Sequence, residues 1–266
     1  MSRSRFAIVG DNCIDRFRPS GMSMIGGNAV NVAVQLALLG ETAHYFGAVG
    51  LDPDGRRTIE ALASRGVNVH FVQQKAGTTA YTDIDVLPSG ERVFAHEDFG
   101  VCAGYRPSVD DLHALDHMDH VHIGWMDDNG ELRKRLVAQG VSVSQDITVN
   151  ADPVHLGVAG LTIAFGSAGE DDAAAADLVA RLLGDGAKLA VVTKGARGAC
   201  ASDGIASYAV EAEKIEVVDT TGAGDSFIAG FLSAYRSGSG IPACLAAGCR
   251  TAARTCNHIG GFPQSA

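Results

Sequence analysis

The chain of 266 residues lacks several features that would settle its role at once. Its six cysteines, Cys13, Cys102, Cys200, Cys244, Cys249 and Cys256, form no C-x-x-C pair, so a dithiol or zinc-ribbon motif is absent and a reduced, cytoplasmic protein is expected. Three of them fall in one helix-like stretch near the C-terminus, where packing accounts for them better than metal or redox chemistry. No apolar run approaches the roughly 18 to 20 residues that span a bilayer. The opening MSRSRFAIVGDN has too short an apolar run for a secretory signal. Positive charge is also scarce: 21 Lys and Arg stand against 31 Asp and Glu, a net charge of −10. That balance excludes the basic footprint that nucleic acid or anionic lipid requires and leaves a small molecule as the expected partner.

Two phosphate-binding signatures are missing as well. None of the five lysines follows a glycine, so there is no Walker-type G-x-x-x-x-G-K-[ST] loop. The first strand-like segment runs into GDNCID (10 to 15) rather than G-x-G-x-x-G, so the dinucleotide fingerprint is absent. No internal repeat, low-complexity tract or linker divides the chain, which predicts one domain over residues 1–266.

What is present is a 46% apolar content, enough for a sizeable core, arranged in alternating segments. RFAIVG (5 to 10), TAHYFGAVG (42 to 50), HVHIG (120 to 124), LTIAF (161 to 165) and KLAVVT (188 to 193) read as buried strands. Between them, segments 28 to 40, 52 to 66, 129 to 140 and 170 to 184 read as helices ending at glycine. The order predicts an α/β fold with a mostly parallel sheet and helices on both faces. One stretch departs from it: TTAYTDIDVL (78 to 87) alternates, turns through PSGE and resumes as RVFAHEDF (92 to 99), the signature of a hairpin. Such an insertion is a candidate lid, with an exposed edge on which a second copy of the chain could pair as a homodimer.

The most informative segment is DTTGAGDSFIAGF (219 to 231). It follows a strand-like KIEVVD (214 to 219), and Phe227, Ile228, Phe231, Leu232 and Tyr235 make a helical stripe, so a helix should begin near Ala223. Gly222, Ala223 and Gly224 can bring backbone N–H groups close to an anion at the positive end of that helix, for which phosphate is the natural occupant. Asp225, in the first turn, cannot ligate phosphate but can take a proton from an attacking hydroxyl. The pattern suggests phosphoryl transfer to an alcohol; a capping acid behind a permissive turn is the competing reading.

The string DTTGAGD, with GGNAVNVAVQLALLG (26 to 40) and TKGARG (193 to 198), resembles the signatures of the PfkB, or ribokinase-like, sugar kinases, and the resemblance runs nearly end to end. It implies a three-layer sandwich with a mostly parallel central sheet and a small β lid formed by about 12 to 24 and 78 to 100. It further implies ATP and Mg2+ as reactants, with Asp225 as base and Gly222, Ala223 and Gly224 as the anion hole. Asp11, Gly26, Gly27, Asn28 and Asn31 match the sugar side, and Arg92 on the hairpin could meet a sugar or phosphate oxygen. Thr193, Lys194, Gly195 and Gly198 match the nucleotide loop, while Gly248 and Asn257 lie where relatives hold the base. The family's N-x-x-E motif is replaced by FGSAGEDDA (165 to 173), which leaves Glu170, Asp171 or Asp172 to support magnesium, Glu170 keeping the spacing. Many members are activated by a monovalent cation, which no motif here decides. The short length, GDNCID and GAGDSFIAGF look most like members acting on fructoselysine, so O6 of a fructosamine is the expected acceptor. Broader sugar or nucleoside kinases and a non-catalytic sensor are the alternatives. The hairpin acids Asp83, Asp85, Glu97 and Asp98 would suit a cationic substrate.

Overall fold

The computed structural model describes residues 4–18, 20–86, 92–150 and 152–264; the side chains of Val86, Arg92 and Phe94 and the predicted turn at 88 to 91 lie outside the described residues. The chain opens with β1 (Arg5–Val9), β2 (Cys13–Phe17), β3 (Met22–Gly26) and α1 (Asn28–Leu38), followed by β4 (Thr42–Gly50) and α2 (Pro53–Ser64). Next come β5 (Val72–Lys75), the hairpin β6 (Tyr81–Val86) and β7 (Arg92–Asp98), α3 (Val109–Leu115), β8 (His120–Ile123) and α4 (Glu131–Ala138). The remainder is β9 (Val143–Asp146), β10 (Ile163–Ser167), α5 (Asp172–Gly184), β11 (Ala190–Thr193), β12 (Ala199–Ser202), β13 (Ser207–Val210), α6 (Ala223–Arg236) and α7 (Ile241–Thr255).

Nine strands form one sheet in the order β13-β12-β11-β10-β9-β8-β1-β4-β5, parallel except where β12 pairs with β11 and β13. Both faces are covered, and this is why RFAIV reads as a continuous apolar run rather than an alternating one. Phe6 and Ile8 pack under α1, α6 and α7, while Ala7 and Val9 belong to the opposite core with α3, α4 and α5. A second sheet, β3-β2-β6-β7, stands apart; its β2 and β3 are antiparallel, as are β6 and β7. The predicted hairpin is therefore half of a four-stranded unit. Arg16 on β2 pairs with Asp54 on α2 at 2.8 Å, and Arg57 on α2 donates to the Oγ and carbonyl of Ser23, which seats this small sheet on the main body.

One expected strand is not a strand. Residues 214 to 219 run outside both sheets, held by the N–H groups of Val218 and Asp219 donating to the Cys256 carbonyl. Val217 and Val218 are 55% and 59% exposed, so the apolar character that suggested burial belongs to a surface segment tethered just past the end of α7 instead.

A buried polar row crosses the sheet. His120 and His122 on β8 are fully buried and share the Ser144 hydroxyl at 2.8 and 2.9 Å, with Ser142 on the other His120 nitrogen. Burial holds both imidazoles neutral, lowered to about 3. The unfolded chain protonates them near 6.5, so the stability they contribute is present above that pH and is lost as pH falls towards 3, by about 1.4 kcal/mol per unit for each. In urea melts, His122→Leu is expected to lose about 2 kcal/mol less than the wild type between pH 7 and pH 5. Equal losses in the two proteins would remove His122 from the acid response.

Candidate active site

In open α/β sheets, ligands bind beyond the carboxyl ends of the strands where the strand order reverses. Here β1 lies between β4 and β8, so the reversal is at β1/β8, and the acids Asp11 and Asp146 follow or end β1 and β9 on that edge. Gly27, at φ 100°, turns the chain into α1 against the backbone of Asn12, where an added Cβ would come within 2.6 Å of Cα. The Asp11 carboxylate accepts from the N–H groups of Asn28 and Ala29 at 3.1 and 3.2 Å, so it caps α1 while keeping lone pairs for a ligand.

The start of α6 meets the start of α1. Gly222, at φ 74°, is the N-cap of α6, and an added Cβ would lie 2.5 Å from the Gly261 Cα, a close approach that only glycine permits. Gly224 is exposed, and a Cβ added there would meet nothing within 4 Å, so the space over the helix N-terminus is open to an anion. The two acids of the motif do different jobs. Asp219 is buried and structural: its Oδ1 accepts from the N–H and hydroxyl of Thr221, and its Oδ2 from the Gly260 N–H at 2.9 Å. Asp225 faces the cleft, where Asn28 Nδ2 donates to its Oδ1 at 2.6 Å and Asn31 Nδ2 to its Oδ2 at 2.7 Å.

The structure thus brings Asp11, Asn28, Asn31 and Asp225 together. It adds Asp146, which the sequence reading missed: its Oδ2 accepts from the same Asn28 amide at 3.1 Å. Desolvation is the main reason that Asp225 is pushed up to about 8, with Asp146 and Asp11 adding to the rise and the two asparagine donors opposing it. Without ligands the protonated carboxyl is therefore favoured at neutral pH, because burial among acids outweighs the donors.

Two further features escaped sequence reading. Trp125, just past β8, stacks on Phe99 with ring centres 4.2 Å apart and forms an aromatic wall where the chain leaves the small sheet. Asp15 pairs across β2 with Met24 and Thr82, and Thr82 pairs with Glu97, so Asp15, Thr82 and Glu97 share one face of that sheet. Gly26 lies on this face, its added Cβ falling 3.1 Å from Asp15 Oδ2. Asp83 and Asp85 alternate to the other face, and Asp85 is paired with Arg18. Asp98 accepts from the Gly100 N–H at 2.8 Å and closes a turn. The backbone of Arg92 begins β7.

The predicted nucleotide loop follows β11, two strands along the same edge from β9. Thr193 ends β11, and Gly195 and Gly198 take positive φ values of 53° and 87° around a single helical turn. Lys194 pairs with Asp172 at 3.0 Å rather than standing solvated, and Asp171 caps α5 through the N–H groups of Ala173 and Ala174. With both neighbours engaged, exposed Glu170 is the carboxylate left available beside the loop. Gly248 is accounted for by packing, since an added Cβ would lie 2.7 Å from the Phe227 ring, and Asn257 is exposed just beyond α7. Among the described residues no group of three His, Cys, Asp or Glu is placed to hold a metal, and no helix is long and apolar enough to cross a membrane.

A model of the pfkB family carbohydrate kinases matches residues 20–125 and 142–263. The chain is 34% identical over 258 residues to the fructoselysine 6-kinase of Shigella flexneri, covering 96% of this chain and 98% of that protein. It is 30% identical over 260 residues to the fructosamine kinase FrlD of Bacillus subtilis (strain 168), covering 96% and 91%. Its fold matches a putative ribokinase II from E. coli solved with ATP and Mg2+, with a TM-score of 0.81, 20% identity and coverage of 98% and 94%.

Proposed function

Because the chain belongs to the pfkB family of carbohydrate kinases, we propose that it transfers the γ-phosphoryl group of ATP to the primary hydroxyl of a fructosamine, fructoselysine being the expected substrate, at O6. The observation that carries the mechanism is Asp225 held by two asparagines beside an open helix N-terminus. Sugar lies against Asp11 and the Gly26 to Asn31 segment, and the small sheet closes over it to keep out water, a competing nucleophile. Asp225 accepts the hydroxyl proton as the sugar oxygen bonds to the γ-phosphorus and the bridging P–O bond to ADP breaks. The N–H groups at Gly222 and Gly224 receive the charge on the transferred group, while that of Ala223, expected to join them, donates to the Thr220 carbonyl at 3.1 Å.

The carboxyl ends of β1, β8, β9, β10 and β11 follow one another along one edge, which supports a sugar side after β1 and a nucleotide loop after β11. Magnesium carried by ATP would neutralise phosphate charge, and Glu170 would reach it through water.

The preference for a cationic sugar follows from the face that bears Gly26. Glu97 and Asp15 lie there, while Asp83 lies opposite, which narrows the four hairpin acids to one. In a coupled ADP-release assay with a sugar panel, fructoselysine is expected to exceed fructose in kcat/KM. Glu97→Gln should cut that ratio roughly three- to tenfold and Asp83→Asn should leave it unchanged. Equal kcat/KM for the two sugars would overturn the substrate assignment.

A further inference from the structure

Asn28 is a side chain with two possible orientations, and the reaction needs only one of them. Its NH2 points at two carboxylates at once, Asp225 Oδ1 at 2.6 Å and Asp146 Oδ2 at 3.1 Å. Its Oδ1 is buried without a hydrogen-bond partner, 2.4 Å from where a Cβ on Gly124 would sit. An unpaired buried carbonyl is costly, so something must hold the amide this way round. Asp146 is placed to do it. Its Oδ1 accepts from both the N–H and the hydroxyl of Thr148, at 2.9 and 2.7 Å, which leaves Oδ2 as an acceptor for Asn28. Burial raises the Asp146 carboxyl and its three donors oppose the rise; in its ionised form it can only accept, and so it demands the NH2 end of Asn28.

We infer that Asp146 is a positioning residue that fixes the direction of hydrogen bonding into the active site: Thr148 donates to Asp146, Asn28 donates to Asp146 and Asp225, and Asp225 is thereby kept as an acceptor for the substrate proton. This rests on the reading of Asp225 as the base. The groups facing Asp225 are Asn28 and Asn31 from α1, Asp146 from the end of β9 and Asp11 from beyond β1. Among the described residues no lysine or arginine is hydrogen-bonded to any of the three acids.

The consequence is an inverted ranking of substitutions. Asp146→Ala removes the charge and the acceptor but leaves the Asn28 NH2 attracted to Asp225. Asp146→Asn removes the same charge in the same shape, yet the two Thr148 donors hold its oxygen, so its NH2 meets Asn28. Asn28 must then turn its oxygen to both neighbours, which satisfies that oxygen but faces it to Asp225. Asp225 can meet an amide oxygen only by carrying a proton, and protonation is cheap there because burial already raises it to about 8. The base is then trapped in its inactive form.

In steady-state assays at pH 7 with fructoselysine and ATP·Mg2+, Asp146→Asn is expected to be slower in kcat than Asp146→Ala by roughly tenfold, with KM for both substrates within about threefold of each other. Its pH profile should lie at higher pH than that of the alanine variant. A packing role predicts the opposite order, since the isostere preserves shape. The inference is overturned if Asp146→Asn matches or exceeds Asp146→Ala, or if the two differ only in KM for the sugar. Thr148→Val, outside the catalytic contacts, supplies a second arm should either variant fold poorly. It removes one of the two Oδ1 donors, and introduced with Asp146→Asn it should recover part of the lost kcat. No recovery would equally count against the inference. Failure of the underlying reading is separately visible, because full turnover in Asp225→Asn would reject the base whatever Asp146 does.

Discussion

kcat/KM for the sugar is expected to climb roughly tenfold per pH unit up to about 8 and to level off above it. The direction follows from the chemistry of the group. A base must be ionised to accept a proton, and Asp225 is raised by desolvation first and by Asp146 and Asp11 after it, so the free enzyme carries the wrong form over much of the neutral range. Such a value suits a general base, since a carboxyl at its ordinary 3.8 would be a weaker proton acceptor at working pH. kcat/KM reports the enzyme before the sugar binds, and kcat reports the loaded complex. Bound metal and the charge of the helix N-terminus favour the carboxylate, so the kcat midpoint should lie below that of kcat/KM. Initial rates across pH 5.5 to 9.5 would check both profiles; a flat kcat/KM over that interval would mean that Asp225 does not titrate in the step.

The second large effect is on stability. A carboxyl raised from 3.8 to about 8 in the folded state contributes its full stability below the unfolded value and loses it as pH rises through the folded one. Asp225 therefore weakens the fold at the pH where it works. Asp225→Asn removes the ionisable group, and the unpartnered Oδ1 of Asn31, which Asp146 does not hold, offers an acceptor to the new NH2 when that amide turns. The stability of the variant relative to wild type is expected to rise by about 5 kcal/mol between pH 4 and pH 8, or by more than about 10 °C in melting temperature, with the two proteins drawing together as pH falls towards 4. Differential scanning calorimetry of the two proteins at pH 4, 6 and 8 measures this. A variant less stable than wild type at pH 8 would mean that the two asparagines gain more from the carboxylate than burial costs it.

Much of the architecture was legible in the sequence because both periodicities act locally. The stripe from Phe227 to Tyr235 gave α6 its start and its buried face, and runs such as TAHYFGAVG could only be strands covered on both sides. Gly222 and Gly224 were legible for a similar reason: a helix start with small residues and an acid in its first turn is a short-range pattern. Segment 214 to 219 misled because two adjacent valines read as core, while the chain there lies on the surface, tethered just past the end of α7. Asp146 was not legible. It is 118 residues from Asn28 in sequence, and it reaches the site only because β9 lies next to β8 in the sheet. Asp15 was obscured by Asp11, the nearer acid, although strand pairing sets Asp15 on the face that carries Gly26. The different duties of Asp219 and Asp225 likewise depend on Gly260, a distant partner that no spacing rule could supply.

The claim on which the mechanism turns is that one carboxylate at the start of α6 takes the proton of the sugar hydroxyl. Turnover by Asp225→Asn, in a preparation that melts cooperatively and binds ATP with wild-type affinity, tests it most directly. A loss of roughly a thousandfold in kcat is the predicted result; a rate within tenfold of wild type would contradict it.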